Sequence, residues 1–313
     1  MVSHFEPAYL ALLRSGELKK RVQAAEEQIQ ACTSCGHECR VNRYEQLGRC
    51  HTGVQAVVSS YGPHHGEEDP LRGHRGSGTI FFARCNLNCQ FCQNSDISQQ
   101  GHGRPVEPQE LAKMMLVLQE QGCHNINLVS PTHVVAPILT ALLIAAQAGL
   151  CKPLVWNTGG YDSLAALALL DGVVDIYMPD MKYADAESGL EYSKAPHYPE
   201  VNQAGVAEMH RQVGDLVLDQ EGIALRGLLV RHLVLPAGLA GTGEIARFLA
   251  QEVSRDTYIN LMDQYRPCYK AFELPPLDRP ITGAEYEQAL QQARDAGLHR
   301  FDQRRPRLLR ILW

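Results

Sequence analysis

Three cysteines within eight residues are the strongest sign of chemistry in this sequence. Cys85, Cys89 and Cys92 have the spacing C-x3-C-x2-C, and they follow the apolar run at 78–83. A structural zinc site closes a tetrahedron with four ligands, and a [4Fe-4S] cluster has four corners that cysteines normally cap. Three thiols in one loop therefore hold three corners of such a cluster and leave one iron open to an exchangeable ligand.

A second group of cysteines lies nearer the amino terminus. Its members are Cys32, Cys35, Cys39 and Cys50. Four soft ligands fit either structural zinc or a fully capped second [4Fe-4S] cluster. Either one would stabilise a segment that has little apolar core of its own. A third interpretation is that these cysteines bind no metal.

Composition limits the class of protein. The chain has 313 residues, of which 45% are hydrophobic, and a formal net charge of -6. This length allows one large domain with an appendage or two ordinary domains. The sequence lacks an apolar run of about 18 residues and the features of a signal peptide. We therefore expect a cytoplasmic protein that does not bind a membrane, and the negative charge argues against nucleic-acid binding.

Short apolar runs alternate with helical patterns from about residue 76 onward. The runs typical of strands lie at 78–83, 125–129, 154–156, 174–178, 228–235 and 257–262. Strands separated by helices require parallel pairing with right-handed crossovers. Six such units are too few for a complete eight-unit barrel. We therefore predict an α/β fold with a partial (β/α)6-type barrel, and a doubly wound sheet is the alternative.

The sequence divides into three predicted parts. Residues 1–75 form an extension, in which an opening helix with a break near Ser15 and Gly16 leads into the four-cysteine group. Residues 76–270 form the barrel. Residues 271–313 contain a helix that begins at the capping box Thr282-Gly-Ala-Glu285 and then a basic tail. The arginines of that tail are typical of a solvated face rather than of a phosphate site.

Polar residues gather where the predicted strands end. Ligands of parallel sheets bind beyond the carboxyl ends of the strands, so we expect one site at one mouth of the barrel. Asp162 is predicted to be the N-cap of the helix that ends near Gly172. His133 and His232 also lie near strand ends, and we expect both to be structural.

The cysteine loop resembles that of the radical S-adenosylmethionine (SAM) superfamily. The resemblance rests on the cysteine spacing, on Phe91 directly before the last cysteine, and on the position after the first parallel strand. It implies that SAM binds the open iron beside Phe91. It also implies that the reduced cluster splits SAM into methionine and a 5'-deoxyadenosyl radical, which abstracts hydrogen from a substrate. A one-electron reductant such as flavodoxin or ferredoxin would supply the electron.

Later segments are similar to the activating enzymes of the pyruvate formate-lyase type. The similarity implies that Asp180 and Lys182, on one face of a strand, bind the methionine moiety of SAM. It nominates Arg231 for the carboxylate, and Asn157 as a further polar contact. A surface ion pair and a charge on the barrel exterior are the alternative interpretations of these charged residues.

The chain departs from the activases after the second strand. Activases have paired glycines there that contact the amino group of SAM, whereas this chain has Leu128-Val-Ser-Pro-Thr-His133. The hydroxyl groups of Ser130 and Thr132, or backbone carbonyl groups, could replace that contact.

The resemblance implies an enzyme that abstracts a hydrogen atom from a backbone glycine of a protein or peptide partner, as glycyl-radical-enzyme activases do. The first alternative is a radical SAM enzyme that acts on a small molecule. The second is a two-cluster electron-transfer protein without SAM chemistry, and the third is a zinc-ribbon interaction module. The lone three-cysteine loop argues against the second alternative, and the predicted barrel argues against the third.

Overall fold

A mixed ten-stranded sheet runs through the computed structural model, which describes residues 5–302. The strands are β1 Ala56–His64, β2 Ser77–Phe82, β3 Arg104–Val106, β4 Ile126–Val129, β5 Leu154–Thr158, β6 Ile176–Pro179, β7 Val217–Leu218, β8 Ala224–Leu233, β9 Tyr258–Met262 and β10 Arg300–Phe301. The helices are α1 Ala8–Ser15, α2 Glu17–Gln28, α3 Asp69–Arg72, α4 Ser95–Ser98, α5 Pro108–Glu120, α6 Val135–Gln147, α7 Leu164–Leu170, α8 Ala186–Ser193, α9 Tyr198–Val213, α10 Thr242–Phe248 and α11 Gly283–Asp295.

The centre of the sheet is parallel. Strands β2, β4, β5, β6, β8 and β9 lie side by side in that order, and each neighbouring pair is parallel. At least one helix lies in sequence between each pair of these strands, so the chain repeats a strand–helix unit. These features confirm the predicted α/β fold and are consistent with the partial (β/α)6-type barrel.

The two faces of the parallel strands have different partners. Leu128, Trp156 and Tyr177 belong to the large hydrophobic core, in which the helices cover the sheet. Residues that alternate with them form a separate apolar cluster, which includes Val155 and Met178 and is completed by Leu71 of α3. Alternation along a strand sends neighbouring side chains to opposite faces. Helix α3 therefore lies against the inner face, on the side of the sheet that carries the site.

The amino-terminal segment packs onto this framework. Helices α1 and α2 are separated at Gly16, whose φ is 77°, and this confirms the break predicted in the opening helix. Tyr9 and Leu18 are fully buried in the main core. Strand β1 extends the sheet because it pairs antiparallel with β2, and β3 pairs antiparallel with β1. The division of the chain at residue 75 stays a prediction.

Two predicted caps have different outcomes. The capping box of α11 is present, because Thr282 accepts from the Glu285 N–H and the Glu285 side chain accepts from the Thr282 N–H. The prediction for Asp162 is wrong, since Ser163 caps α7 by accepting from the Ala166 N–H at 3.1 Å. Asp162 is buried, and hydroxyl and indole donors inside the fold occupy its carboxylate.

The carboxyl-terminal end adds a last parallel pairing. Strand β10 pairs with β9 through Arg300 and Phe301. The rest of the predicted basic tail, residues 303–313, lies outside the described residues. Among the helices in residues 5–302, none combines the length and the apolar character that crossing a bilayer requires.

Candidate active site at the carboxyl ends of the strands

The three-cysteine loop follows β2 directly and is fixed by the end of α8. The Asn88 N–H donates to the Ser193 carbonyl at 2.9 Å, and the Gln90 N–H donates to the Tyr192 carbonyl at 2.8 Å. The Lys270 N–H in turn donates to the Gln90 carbonyl at 2.9 Å. Backbone bonds to two distant segments therefore hold the loop in one shape.

Two of the three sulfur atoms contact serine hydroxyl groups. The Ser193 hydroxyl donates to Cys89 Sγ at 3.0 Å, and Ser98 Oγ lies 3.1 Å from Cys92 Sγ. Burial raises the pKa of Cys89, while the bond from the Ser193 hydroxyl favours the ionised thiol, which is the form that binds metals.

The chemistry of the donor set fits an iron-sulfur cluster. Burial, together with Cys89 and Cys92, raises the pKa of Cys85 to about 12. Three ionised thiols can therefore coexist here only against positive charge, which the iron atoms of a cluster provide. Within residues 5–302, no three or more His, Cys, Asp or Glu side chains are grouped to hold a single metal ion. A cluster instead binds each thiolate at a different iron atom.

A buried ion triad lies beside the cysteine loop. Lys182 Nζ donates to Asp180 Oδ2 at 2.5 Å, and Arg231 Nε donates to Asp180 Oδ1 at 2.8 Å. Burial raises the pKa of the Asp180 carboxyl, but the two cations outweigh it and hold the pKa below its ordinary value. The pairing of β6 with β8 extends to this point, since Asp180 and Arg231 form a parallel bridge. Neither alternative interpretation, a surface pair or an exterior charge, applies.

The backbone around Asp180 is tightly packed. The Tyr198 hydroxyl oxygen lies 2.9 Å from the Gly159 carbonyl oxygen and 3.1 Å from that of Asp180. Asn202 Nδ2 donates to the carbonyls of Gly160 and Asp180 at 2.8 and 3.0 Å. Gly160 has a φ of 75°, and a Cβ there would collide with the Asp180 carbonyl. Glycine is therefore required at this turn.

Ser130 and Asn157 lie on neighbouring strand ends, and the Ser130 N–H donates to the Asn157 carbonyl at 2.8 Å. Ser130 has a φ of 56°, in the left-handed region that residues other than glycine seldom adopt. Its backbone therefore has the conformation that glycine adopts most readily.

Phe91 occupies an aromatic cluster behind the loop. It is 6% exposed, and its ring centroid lies 6.5 Å from that of Tyr183 and 5.8 Å from that of Tyr265, both edge to face. Such contacts fix the ring and hence the position of the adjoining Cys92.

A cavity of about 400 Å³ joins these parts. The residues predicted from the sequence that line it are Cys85, Cys89, Phe91, Cys92, Ser130, Asn157, Asp180, Lys182 and Arg231. The thiols and the ion triad therefore line one cavity. A single site at the carboxyl ends of the strands was expected from the sequence.

The segment between β1 and β2 also lines this cavity, although the sequence predicted no role for it. His64 Nδ1 lies 3.3 Å from Glu67 Oε1, and Glu68 Oε1 accepts from Asn260 Nδ2 at 2.8 Å. The signal in the sequence was an acidic pair in a loop rich in glycine and histidine. Because a loop has no periodicity, the sequence did not indicate which way these carboxylates point.

The four amino-terminal thiols lie within one another's electrostatic reach. Burial raises the pKa of Cys35 to about 12, and Cys50, Cys32 and Cys39 each contribute to the rise. As in the first loop, thiols that oppose one another's ionisation can all ionise only against a cation. The group could therefore hold a metal centre.

Arg43 connects this group to the barrel. It is 3% exposed, and its Nη2 donates to the carbonyls of Gly53 and His133 at 2.8 and 2.9 Å. Its Nη1 lies 3.5 Å from Cys32 Sγ. Burial raises the pKa of Cys32, but the Ser34 N–H and the Arg43 guanidinium outweigh it and lower the pKa.

The two cysteine groups share a boundary at Asn86. Its Nδ2 donates to the Tyr161 carbonyl at 3.0 Å, and its own carbonyl lies 2.9 Å from His37 Nε2. Cys50 and Cys85 both line a cleft of about 370 Å³ on this boundary. The cleft therefore brings residues of both groups to one surface.

The two histidines near strand ends are bonded inside the fold. His232 lies 2.7 Å from the Met181 carbonyl and 2.9 Å from Thr242 Oγ1, and His133 lies 3.1 Å from the Ala83 carbonyl. Burial lowers the pKa of each to about 4. These contacts agree with the predicted structural role.

Comparison with known proteins places this site in a family. The family model described as the radical SAM superfamily matches residues 79–215, which contain the three-cysteine loop, Asp180 and Lys182. The uncharacterized protein MJ0674 of Methanocaldococcus jannaschii is 34% identical over 294 residues, which cover 91% of this chain and 80% of that protein.

Two solved structures are similar to part of this chain. A radical SAM methyltransferase from Sphaerobacter thermophilus is 17% identical with a TM-score of 0.47, and the match covers 71% of this chain and 66% of the other. Streptococcus suis SuiB bound to precursor peptide SuiA is 12% identical with a TM-score of 0.45, and the match covers 70% of this chain and 46% of the other. The family match, which contains the three-cysteine loop, shows that this chain has a radical SAM superfamily domain at residues 79–215.

Proposed function

We propose that Cys85, Cys89 and Cys92 hold a [4Fe-4S] cluster and that the adjoining cavity binds SAM. The observation that carries the proposal is that the three thiols and the ion triad of Asp180, Lys182 and Arg231 line one cavity. A cluster with bound SAM supplies one-electron cleavage of the sulfonium, which gives methionine and a 5'-deoxyadenosyl radical able to abstract hydrogen.

The residues of this chain then bind and orient the cofactor. Lys182 and Arg231 supply positive charge for the carboxylate of SAM, and Asp180 keeps both cations in place. The methionine moiety would lie against this triad. Ser130 takes the place of an activase glycine, and its glycine-like backbone supports a contact to the amino group of SAM through the main chain.

We infer that the substrate is a protein or peptide segment, as for glycyl-radical-enzyme activases. The resemblance around Asp180 and Arg231 supports this inference. The cavity supports it too, because about 400 Å³ lies near the lower end of the range of ligand pockets, and SAM is proposed to occupy this space. A substrate therefore has to reach the site from the mouth, which an extended segment does readily. A small-molecule substrate is the second candidate.

The four-cysteine group is proposed to hold a second metal centre, either a [4Fe-4S] cluster or zinc. Zinc would require the sulfur atoms to move closer together, because no three such side chains within residues 5–302 are grouped around a single ion. The mutual effect of its thiols on the pKa of Cys35 supports this assignment. Once the first cluster has been removed, the iron and zinc content of the protein shows which of the two metals the four-cysteine group holds. A chain with neither metal would show that these cysteines are not ligands.

The first prediction concerns Cys89→Ala. We expect this variant to lose 5'-deoxyadenosine formation entirely while it keeps most of its fold, because two thiols and an open corner do not hold the cluster that cleaves SAM. The test is anaerobic reconstitution with iron and sulfide, followed by electron paramagnetic resonance of the dithionite-reduced protein with and without SAM, and a deoxyadenosine assay on the same sample.

Cys151→Ala is the matched control, since Cys151 is exposed and lies outside both cysteine groups. The control and the unmodified protein should show a signal that shifts on addition of SAM. Normal SAM cleavage by Cys89→Ala contradicts the cluster assignment. A signal in the unmodified protein that is indifferent to SAM favours the electron-transfer alternative.

A further inference from the structure

Glu68 is a buried carboxylate at the inner wall of the cavity. It immediately precedes α3, and its carbonyl accepts from the N–H groups of Leu71 and Arg72 at 2.9 and 3.1 Å. Leu71 is fully buried in the apolar cluster on the inner face. The backbone of this residue is therefore anchored, and its side chain lines the same cavity as the three-cysteine loop.

One of its two carboxylate oxygens has a partner and the other has none. Oε1 accepts from Asn260 Nδ2 at 2.8 Å. Oε2 is buried and accepts no hydrogen bond from the described residues, and the residue as a whole is 3% exposed. A buried polar atom without a partner destabilises a fold. The position therefore costs stability unless a ligand completes it.

The charged groups nearby leave this oxygen available. Arg231 is the positive group that acts on Glu68, but it is bonded to Asp180 at 2.8 Å. Glu67 adds a second negative charge, and His64 pairs with Glu67. Burial raises the pKa of Glu68, and Arg231 offsets this only in part. Glu67 and Glu68 therefore both line the cavity, and Oε2 of Glu68 is a buried acceptor with no donor among the described residues.

We propose that Glu68 anchors the substrate by accepting a hydrogen bond at Oε2 from an N–H group, either an ammonium group or a peptide amide. A carboxylate accepts hydrogen bonds and repels anions, so the wall selects nitrogen donors over acids. The inference rests on the proposed function, and it deepens it by naming the group of the substrate that is recognised. A peptide segment presents an N–H beside each Cα–H, which would place the reacting carbon near this wall.

Glu68→Gln provides a sharp test because Asn260 fixes the orientation of the new amide. The Asn260 N–H requires an acceptor at the Oε1 position, so the amide nitrogen of the glutamine takes the place of Oε2, where it donates and does not accept. The variant has the same shape as the original side chain. It should melt at the same temperature or higher, because a neutral amide is less costly to bury than a carboxylate.

The experiment uses the reconstituted protein with SAM and no reductant, and it measures probe binding by ligand-observed nuclear magnetic resonance. The probes are methylammonium, N-methylacetamide and acetate. We expect methylammonium to bind if the natural group is an ammonium, N-methylacetamide if it is a peptide amide, and acetate in neither case. Glu68→Gln should lower the affinity for the probe that binds by about tenfold or more. The matched control Glu67→Gln should change the affinity for that probe by less than about threefold, because Glu67 pairs with His64.

Several results overturn the proposal: no nitrogen probe binds the unmodified protein, acetate binds equally well, or binding is indifferent to Glu68→Gln. An equal loss of SAM binding in that variant would assign Glu68 to the cofactor instead. Glu68→Asp serves as a second variant if Glu68→Gln misfolds, and it should keep the selectivity for nitrogen with weaker binding. Failure of the proposed function is seen separately, as absence of SAM cleavage in the unmodified protein.

Discussion

At the scale of single residues, the site contains one carboxylate that is bonded to two cationic side chains. Asp180 accepts from Lys182 and Arg231 through different oxygens, and all three side chains are largely buried. Removing one partner of such a group leaves charges without compensation. The triad is therefore a stability element as well as a proposed binding element.

We expect Asp180→Asn to lower the free energy of unfolding by about 2–4 kcal/mol, because both cations lose their common partner. It should also weaken SAM binding. Urea denaturation and SAM titration measure the two effects. Asp263→Asn is the control, since Asp263 is exposed just after β9 at the same end of the strands, and it should change the free energy by less than about 0.5 kcal/mol. Similar values for the two variants would contradict the role of the triad.

The sequence predicted which residues would meet at the site better than it predicted how they are supported. Asp180 and Lys182 are two residues apart after an apolar run, so they were expected on one face. Tyr198 and Asn202 support Asp180 through backbone carbonyl groups, and a contact of this kind leaves no pattern in a sequence. Glu68 was missed for a related reason. It lies in a loop, and the sequence of a loop does not show in which direction a side chain points.

At the scale of elements, a buried carboxylate joins the first helix to the sheet. Asp175 immediately precedes β6 and is fully buried. Its Oδ1 accepts from the Ala8 N–H and its Oδ2 from the Leu154 N–H, each at 2.9 Å. One side chain therefore connects the start of α1 with the start of β5.

The stability contributed through Asp175 should depend on pH. Burial raises its pKa from the ordinary 3.8 to about 7, so the folded protein binds this proton more tightly than the unfolded chain does. Stability is then highest at low pH and falls as the pH rises from about 4 to about 7. When the pH rises from 5 to 8, the free energy of unfolding of the unmodified protein should fall by about 2 kcal/mol more than that of Asp175→Asn. Urea denaturation of both proteins at the two pH values gives this double difference, and parallel curves would contradict it.

Periodicity explains which elements were predictable. The parallel strands are apolar runs separated by helices, and all six were expected near their observed positions. The two-residue strands β7 and β10 are too short to show a period. The mistaken N-cap at Asp162 has another cause: Asp and Ser both cap helices well, and only the tertiary structure gives Asp162 buried donors.

At the scale of the whole molecule, the four-cysteine segment and the barrel share buried polar contacts. Arg43 bonds to the carbonyl of His133, which lies after β4, and to that of Gly53. Asn86 connects the two cysteine groups through Tyr161 and His37. A sequence shows neither connection, because each joins loops far apart in the chain.

Arg43→Lys should lower the free energy of unfolding by about 1–3 kcal/mol. Lysine keeps the charge but lacks the planar fork that reaches two carbonyl groups and a sulfur atom at once. Arg40→Lys is the matched control in the same loop, since the Arg40 side chain is exposed and pairs with the exposed Glu38. Denaturation curves that coincide for all three proteins would show that Arg43 does not hold the segment to the barrel.

The contacts of the amino-terminal cysteine loop have a consequence for biosynthesis. The Gly36 N–H donates to the Tyr161 carbonyl, and the Ser163 hydroxyl donates to the Thr33 carbonyl across a separation of 130 residues. The first four thiols therefore leave the ribosome long before the backbone that shapes their loop has been made. The loop can make these two contacts only after residues 161–163 have emerged, so until then its thiols lack the backbone partners that position them. The order of synthesis thus delays the shaping of the first cysteine loop until about half of the chain has been made.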